Sequence, residues 1–136
     1  MLDLSLEGKR AVVTGASLGI GEAVVKMLSD HGASVTFCAR NKDAIKNLTD
    51  YKSESPDSKI KGLIADMSDA KSTENFIKET LEDGPIDILV NNVGASPSRN
   101  FLYMSDQDWH DLHELNLLSA VRCTRSFLPH MREQKW

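Results

Sequence analysis

Three glycines lie close together near the start of the chain, at positions 15, 19 and 21 of the segment Thr14 to Gly21. The residues before them have the apolar, β-branched character of a buried strand, and the residues after them are apolar at helical spacing. A helix that begins here exposes backbone N–H groups, and glycine removes the side chains that would hold a phosphate away. The turn therefore predicts a dinucleotide site, and a plain glycine turn is the alternative.

A second chemical signal lies about 20 residues beyond this turn, at the end of the next predicted strand. A site for NAD(H) places a carboxylate there to bind the ribose 2′-hydroxyl. This chain has Ala39 instead, followed by Arg40, whose guanidinium suits a phosphate, and by Asn41 and Lys42, which add donors. We therefore predict NADP(H) in preference to NAD(H), with a solvated surface role for Arg40 as the alternative.

Strand-like and helix-like segments that alternate along the chain must position these residues, and such alternation is typical of βαβ units in a parallel sheet. The patterns predict strands at 10–14, 34–39, 59–65 and 86–90. They predict helices at 19–31, at 42–52 after an Asn41 cap, from Ser68 or Asp69 to a stop at 83–85, and from a Ser105 and Asp108 capping box to about 131.

Composition limits the classes of function. The 136 residues are 40% apolar, which suits one domain over residues 1–136. A net charge of −4 without a basic stripe argues against nucleic acid as a partner. The first residues do not form a signal peptide, and no apolar run approaches the ~20 residues of a spanning helix, so we predict no membrane partner and a cytoplasmic location.

The cysteines and histidines predict no metal chemistry. Cys38 falls in a predicted strand and Cys123 in a predicted helix, as expected of buried free thiols. His110 and His113 are three positions apart on a predicted helix face that is rich in carboxylates and solvated. A metal site there is the weaker alternative, because no further cluster of ligands accompanies the two histidines.

Together with the glycine turn, the run Asn91-Asn92-Val93-Gly94 after the fourth strand and Asn116 in the long helix resemble the short-chain dehydrogenase/reductase family. The resemblance covers the whole chain. It implies an α/β fold, a Rossmann-type doubly wound parallel sheet that is incomplete here, with four strands in the order 3-2-1-4. It also implies an oxidoreductase that moves a hydride between NADP(H) and a ketone or secondary alcohol, as a 3-oxoacyl reductase or a carbonyl reductase does.

The resemblance also implies roles for individual residues of the cofactor site. The pyrophosphate and the nicotinamide-side ribose would be lined by Gly15, Ser17, Leu18, Gly19 and Ile20. Asp66 would accept a hydrogen bond from the adenine amino group with Met67 beside the ring, and a helix-capping acid is the alternative for Asp66.

Two further motifs take roles from the family. Asn92, Val93 and Gly94 would run beside the adenosine ribose, with Val93 standing where alanine is more usual, and a simple turn is the alternative. Asn116 would be the catalytic asparagine that sits at a kink in the long helix and holds a water in a proton relay. An ordinary polar helix residue is the alternative for Asn116.

The family's other catalytic groups are a serine and a tyrosine that is followed four residues later by a lysine. Tyr51 and Tyr103 are instead followed at that distance by Ser55 and Gln107. We expect this chain to be the cofactor-binding, amino-terminal half of a longer enzyme, inactive alone. The alternative is a non-catalytic dinucleotide-binding or regulatory protein that pairs with a full-length relative.

The family resemblance also implies how copies of the full-length parent associate. It implies a homodimer or homotetramer, paired through the long helix, that acts on a small-molecule carbonyl or alcohol. An apolar stripe on this helix is expected to bury against the sheet or a partner helix, and it comprises Leu117, Ala120, Val121, Thr124, Leu128 and Met131.

Overall fold

Side chains of the first strand, β1 (Arg10–Val13), point alternately to the two faces of a parallel sheet. In the computed structural model, which describes residues 4–136, Ala11 and Val13 join one apolar cluster and Val12 joins another. All three are at most 1% exposed. A strand buried on both faces needs a continuous apolar run, which is what the sequence provides here.

Strands and helices then alternate along the chain. The elements that follow β1 are α1 (Gly19–Asp30), β2 (Ser34–Ala39), α2 (Lys42–Thr49), β3 (Ile60–Ile64), α3 (Ala70–Glu82), β4 (Ile88–Val90), a 3-10 turn (Phe101–Tyr103), α4 (Asp106–His113), a π-helical turn (Glu114–Leu118) and α5 (Ser119–Gln134). Four strands pair in parallel in the order β3-β2-β1-β4, which confirms the predicted order. The direction of the strand order reverses between β1 and β4.

Helices cover both faces of the sheet. On one face, Val25 of α1 and Leu48 of α2 pack with Phe37 of β2. On the other face, Phe76 of α3 and Phe127 of α5 pack with Val12. These side chains are at most 3% exposed, so both layers fix the sheet firmly and thereby fix the strand ends that carry the site.

Helix α2 and strand β4 are shorter than predicted at one end. Helix α2 ends at Thr49 rather than near residue 52, because Tyr51 leaves the helix and its hydroxyl donates to the carboxylate of Asp30 at 2.9 Å. Strand β4 begins at Ile88 rather than residue 86, and its pairing with β1 starts with Ala11 opposite Ile88. Ile86 is still 1% exposed, so it contributes to the core without joining the strand.

The long helix turns a different face to the sheet from the one predicted. Ser119, Cys123 and Phe127 are buried in α5, whereas Leu117 and Val121 of the predicted stripe are 49% and 40% exposed. Small side chains explain this result, since they let the helix approach its neighbours, and the Ser119 hydroxyl is satisfied by the Leu115 carbonyl oxygen at 2.5 Å. Met131 packs against the core, but Leu117, Val121 and Leu128 are exposed, so the prediction that the whole stripe buries against the sheet was wrong.

Candidate dinucleotide-binding cleft

A cleft of about 340 Å³ opens at the carboxyl ends of the strands, near the glycine turn and the segment that follows β4. In open α/β sheets, this edge, at the point where strand order reverses, is where ligands bind. The cleft is lined by Gly15, Ser17, Leu18, Ile20, Gly21, Cys38, Ala39, Arg40, Ala65, Asp66, Met67, Asn92, Val93, Gly94, Ala95 and Leu115.

The glycine turn has a backbone shape that favours glycine. Gly15 and Gly19 have φ angles of +68° and +60°, in the left-handed region. A Cβ atom at Gly21 would lie 2.6 Å from the Gly15 carbonyl oxygen and 2.5 Å from Asn92 Nδ2. The start of α1 therefore packs directly on the turn, and glycine leaves the backbone there uncovered by side chains.

Helix α1 begins without a polar cap. Its N-cap residue is Leu18, whose apolar side chain accepts no hydrogen bond, whereas α2, α3 and α4 are capped by Asn41, Asp69 and Ser105. The first N–H groups of a helix need acceptors, and the dipole makes anions the preferred ones. A phosphate in the cleft would supply the acceptors that Leu18 does not.

Thr14 and Asn92 join the glycine turn to the segment after β4. The Thr14 hydroxyl oxygen accepts from the backbone N–H groups of Asn92 and Val93 at 3.1 and 3.2 Å. In return, Asn92 Nδ2 donates to the carbonyl oxygens of Thr14 and Gly15 at 3.1 and 2.8 Å. These bonds fix one wall of the cleft relative to the other.

Replacing Thr14 by valine is expected to destabilise the protein by about 1–3 kcal/mol, because two partly buried N–H groups lose their acceptor while the side-chain volume is kept. Thr14 is 2% exposed, so water cannot readily take the place of the hydroxyl. Urea unfolding monitored by circular dichroism measures the change. The matched control is Thr49→Val at an exposed position of α2, and equal stability of the two variants would contradict the role of the hydroxyl.

Asp66 lies just after β3 on the adenine side predicted for the cleft. Its pKa is lowered, chiefly by the hydrogen bond from the Ser68 hydroxyl at 2.6 Å, then by the Ser68 backbone N–H, and also by the charge of Arg40. The cap of α3 is Asp69, which accepts from Ser72 N–H at 2.7 Å, so the capping alternative for Asp66 is excluded. Met67, 3% exposed, lies beside it.

Arg40 and Asn41 follow β2 but occupy different places. Arg40 is exposed and lines the cleft, close enough to Asp66 for its charge to act on that carboxyl. The Asn41 side-chain oxygen instead accepts from the N–H groups of Asp43 and Ala44 at 2.8 and 3.1 Å, as the cap of α2. Asn41 lines a neighbouring cleft between α1 and α2.

Asn116 lies in the π-helical turn, where the long helix departs from regular geometry. Its Oδ1 accepts from Ala95 N–H and its Nδ2 donates to the Ala95 carbonyl oxygen, both at 2.8 Å. Both polar ends of the side chain therefore hold the loop that follows Gly94. A part in a proton relay remains a prediction from the family resemblance.

Sequence reasoning missed three residues of the cleft wall. Cys38 and Ala65 stand at or beside the carboxyl ends of β2 and β3, so the predicted strand ends could have indicated them. Leu115 reaches the cleft through the π-helical turn, for which the sequence offers no signal. Burial raises the pKa of the Cys38 thiol to about 11, which keeps it protonated and unreactive.

Residues 4–136 contain no group of three or more His, Cys, Asp or Glu side chains that could hold a metal ion. None of the helices in that range is long and apolar enough to cross a membrane. The cytoplasmic location stays a prediction.

The chain is similar to known oxidoreductases. The 3-oxoacyl-[acyl-carrier-protein] reductase FabG of Salmonella typhimurium is 36% identical over 133 residues, which are 97% of this chain and 53% of the relative. The uncharacterized oxidoreductase YvrD of Bacillus subtilis is 36% identical over 134 residues, 96% of this chain and 49% of the relative. The chain thus spans about half the length of the curated relatives it matches.

Solved structures share the fold. L-sorbose reductase from Gluconobacter frateurii, complexed with NADPH and L-sorbose, superposes with a TM-score of 0.88 at 29% identity, over 98% of this chain and 51% of that one. A 3-oxoacyl reductase from Agrobacterium tumefaciens with NADP bound gives a TM-score of 0.89 at 29% identity, over 100% and 53% of the two chains.

The family of this chain is assigned from a family pattern that matches most of its length. The pattern of the short chain dehydrogenase family matches residues 9–136, which include the glycine turn and every strand of the sheet. Sheet order and structural neighbours agree with that match. This chain therefore belongs to the short-chain dehydrogenase family.

Proposed function

We propose that the whole protein is an NADP(H)-preferring oxidoreductase that transfers a hydride between the nicotinamide ring and a ketone or secondary alcohol. Residues 1–136 act as its cofactor-binding domain. One observation carries this proposal: the uncapped start of α1 at Leu18 opens on a cleft that Arg40 also lines. Bound NADP(H) supplies the hydride, and the residues of this chain bind and orient the cofactor.

The preference for NADP(H) rests on charge. Arg40 offers a planar, permanently charged donor group to a 2′-phosphate, and Ala39 places no carboxylate where it would repel one. Two solved relatives, the sorbose reductase and the Agrobacterium reductase, are described with NADPH and NADP. These observations support NADP(H) as the better ligand.

The proposed binding roles follow from the walls of the cleft and, for Gly19, which is not among the residues that line it, from the glycine turn. Gly15, Ser17, Leu18, Gly19 and Ile20 hold the pyrophosphate and the adjoining ribose at the mouth of α1. Asp66 and Met67 receive the adenine, and Asn92, Val93 and Gly94 border the adenosine ribose. Asn116 positions the Ala95 loop through its two hydrogen bonds, and in the complete enzyme it also supports the proton relay.

The proposed substrate class is a ketone or the corresponding secondary alcohol. This proposal is supported by the similarity of the chain to 3-oxoacyl reductases and to a sorbose reductase. The names of these proteins denote the reduction of a carbonyl group. Ala95 lines the cleft, and we expect such a substrate to approach along the exposed residues that follow it, through Arg99.

The test uses the protein expressed from its complete reading frame. Loss of NADPH absorbance is followed with a 3-oxoacyl thioester and with a ketose as substrates. We expect NADPH consumption with at least one of these ketones and none without a carbonyl compound. A protein that binds NADPH but reduces no carbonyl compound would contradict the enzymatic proposal. Residues 1–136 expressed alone are expected to show no turnover.

The second candidate is a non-catalytic dinucleotide-binding or regulatory protein that pairs with a full-length relative. The observation in its favour is the exposure of apolar side chains on the π-helical turn and α5, where Leu117, Val121 and Leu128 are 49%, 40% and 43% exposed. Dinucleotide binding without turnover, together with formation of a mixed complex with such a relative, would favour it.

We also propose that the exposed face of α5 pairs copies of the protein as a homodimer or homotetramer. Replacing Leu128 by glutamate is expected to weaken self-association at least about fivefold, because one charge per copy loses water on pairing. Sedimentation velocity measures the change. Leu81→Glu on α3, which is 40% exposed, is the matched control, and an equal effect of both variants would contradict pairing through α5.

A further inference from the structure

A second cleft, of about 410 Å³, lies between α1 and α2 and shares Ser17 and Leu18 with the dinucleotide-binding cleft. Asn41, the residue after Arg40, also lines it. The two clefts therefore meet at the glycine turn, beside the residues that link β2 to α2. A group attached to the adenosine ribose near Arg40 would face this junction.

Lys26 is the cation of the second cleft. Its Nζ donates to Glu22 Oε1 at 2.5 Å, one helical turn nearer the start of α1, and lies 5.3 Å from the centre of the Tyr51 ring. Helical side chains lean toward the helix N-terminus, and the bond to Glu22 draws the ammonium group further that way. Lys26 thus lies on the cleft wall between Glu22 and the Tyr51 ring, and Ser17 and Leu18 of the glycine turn line the same cleft.

The carboxylates that line this cleft would repel an anion, and Lys26 is positioned to offset that repulsion. Glu22 and Asp43 bring two carboxylates to its walls, and Lys26 is the only cation among the described residues that line it. The side chains of Lys26 and Glu22 are 37% and 34% exposed, so their charges act partly through protein rather than through bulk water. Lys26 offsets carboxylate repulsion at the junction.

We propose that Lys26, aligned by Glu22, is a second determinant of the preference for NADP(H), and that it acts on the 2′-phosphate from the second cleft, whereas Arg40 lines the first. This inference rests on the proposed function, which places NADP(H) in the cleft. Glu22 has two effects: it aligns Lys26, and its own charge opposes the phosphate. The pair therefore tunes the preference, while Arg40 provides the direct contact.

The test compares dissociation constants of NADPH and NADH by calorimetry on the protein expressed from its complete reading frame. Lys26→Met should weaken NADPH binding about two- to fivefold, as expected of a half-exposed charge, and leave NADH within about twofold. Glu22→Gln should tighten NADPH binding by a similar factor, because it removes the negative charge and keeps a side-chain oxygen that can accept from Lys26. Added salt should reduce both effects.

Lys46→Met on the exposed side of α2 is the matched control and should leave both dissociation constants unchanged. Unaltered NADPH binding in Lys26→Met, or equal losses for the two cofactors, would overturn the role of Lys26 while the proposed function stands. A parent protein that binds neither dinucleotide would contradict the proposed function itself, and this inference with it.

Discussion

Replacing Gly21 by alanine lowers the affinity for NADPH by roughly 5- to 150-fold, the range that corresponds to the 1–3 kcal/mol typical of an overpacked site. The added Cβ would lie 2.6 Å from the Gly15 carbonyl oxygen and 2.9 Å from Ala16 Cα, both backbone atoms of the glycine turn. Backbone cannot rotate away as a side chain can, so α1 must move off the turn. The N–H groups that face the phosphate move with it.

The measurement is a calorimetric titration with NADPH, accompanied by urea unfolding of the same variant. The control is Ala23→Gln, which adds a larger side chain at an exposed position of the same helix. If Gly21→Ala bound NADPH as well as the parent protein did, the close approach of helix and turn would not be needed for binding. The account of the glycine turn would then be wrong.

Replacing Arg40 by alanine weakens NADPH binding by roughly 10- to 150-fold and leaves NADH binding within about twofold. Hydrogen bonds to charged groups contribute about 1.5–3 kcal/mol, and only the phosphorylated cofactor makes this one. Arg40 is exposed, so its removal disturbs no packing in the core. Because Arg40 also lowers the pKa of Asp66, a small rise in that pKa is expected in the variant.

The control for Arg40→Ala is Lys59→Ala, which removes an exposed cation just before β3, at the opposite end of the sheet. If net charge alone attracted the cofactor over a long range, the two variants would lose the same NADPH affinity. Equal losses of NADPH and NADH affinity in Arg40→Ala would assign Arg40 a structural role and remove the basis for the predicted preference.

Local rules sufficed for much of the fold. The apolar run of β1, the cap at Asn41 and the capping box of Ser105 with Asp108 depend on neighbours in sequence, and the structure contains all three. The sheet order 3-2-1-4 came from the family resemblance rather than from periodicity, and it is confirmed. Short-range patterns therefore located the elements, and the family motifs arranged them.

Features that depend on contacts between distant segments could not be predicted from local patterns. Nothing in the sequence around Asn116 indicates that its side chain binds Ala95, 21 residues earlier. The face of α5 was misassigned because hydrophobicity favoured Val121 over Ser119, whereas close packing required the smaller residue. In both cases the tertiary contact selects the side chain.

The sequence predicted those residues of the candidate site that lie shortly after the ends of strands. Arg40, Asp66 and Asn92 come shortly after β2, β3 and β4, and parallel strands bring those ends to one edge of the sheet. Asn41 also follows β2 but caps α2, since a helix start competes for the same side-chain oxygen.

The central claim is that the cleft at the carboxyl edge of the sheet binds NADP(H) in preference to NAD(H). The most direct test is a pair of calorimetric titrations, with NADPH and with NADH, on the protein expressed from its complete reading frame. The account predicts a dissociation constant for NADPH at least about tenfold below that for NADH, which corresponds to one charge-assisted contact. Equal affinities, or tighter binding of NADH, would contradict it.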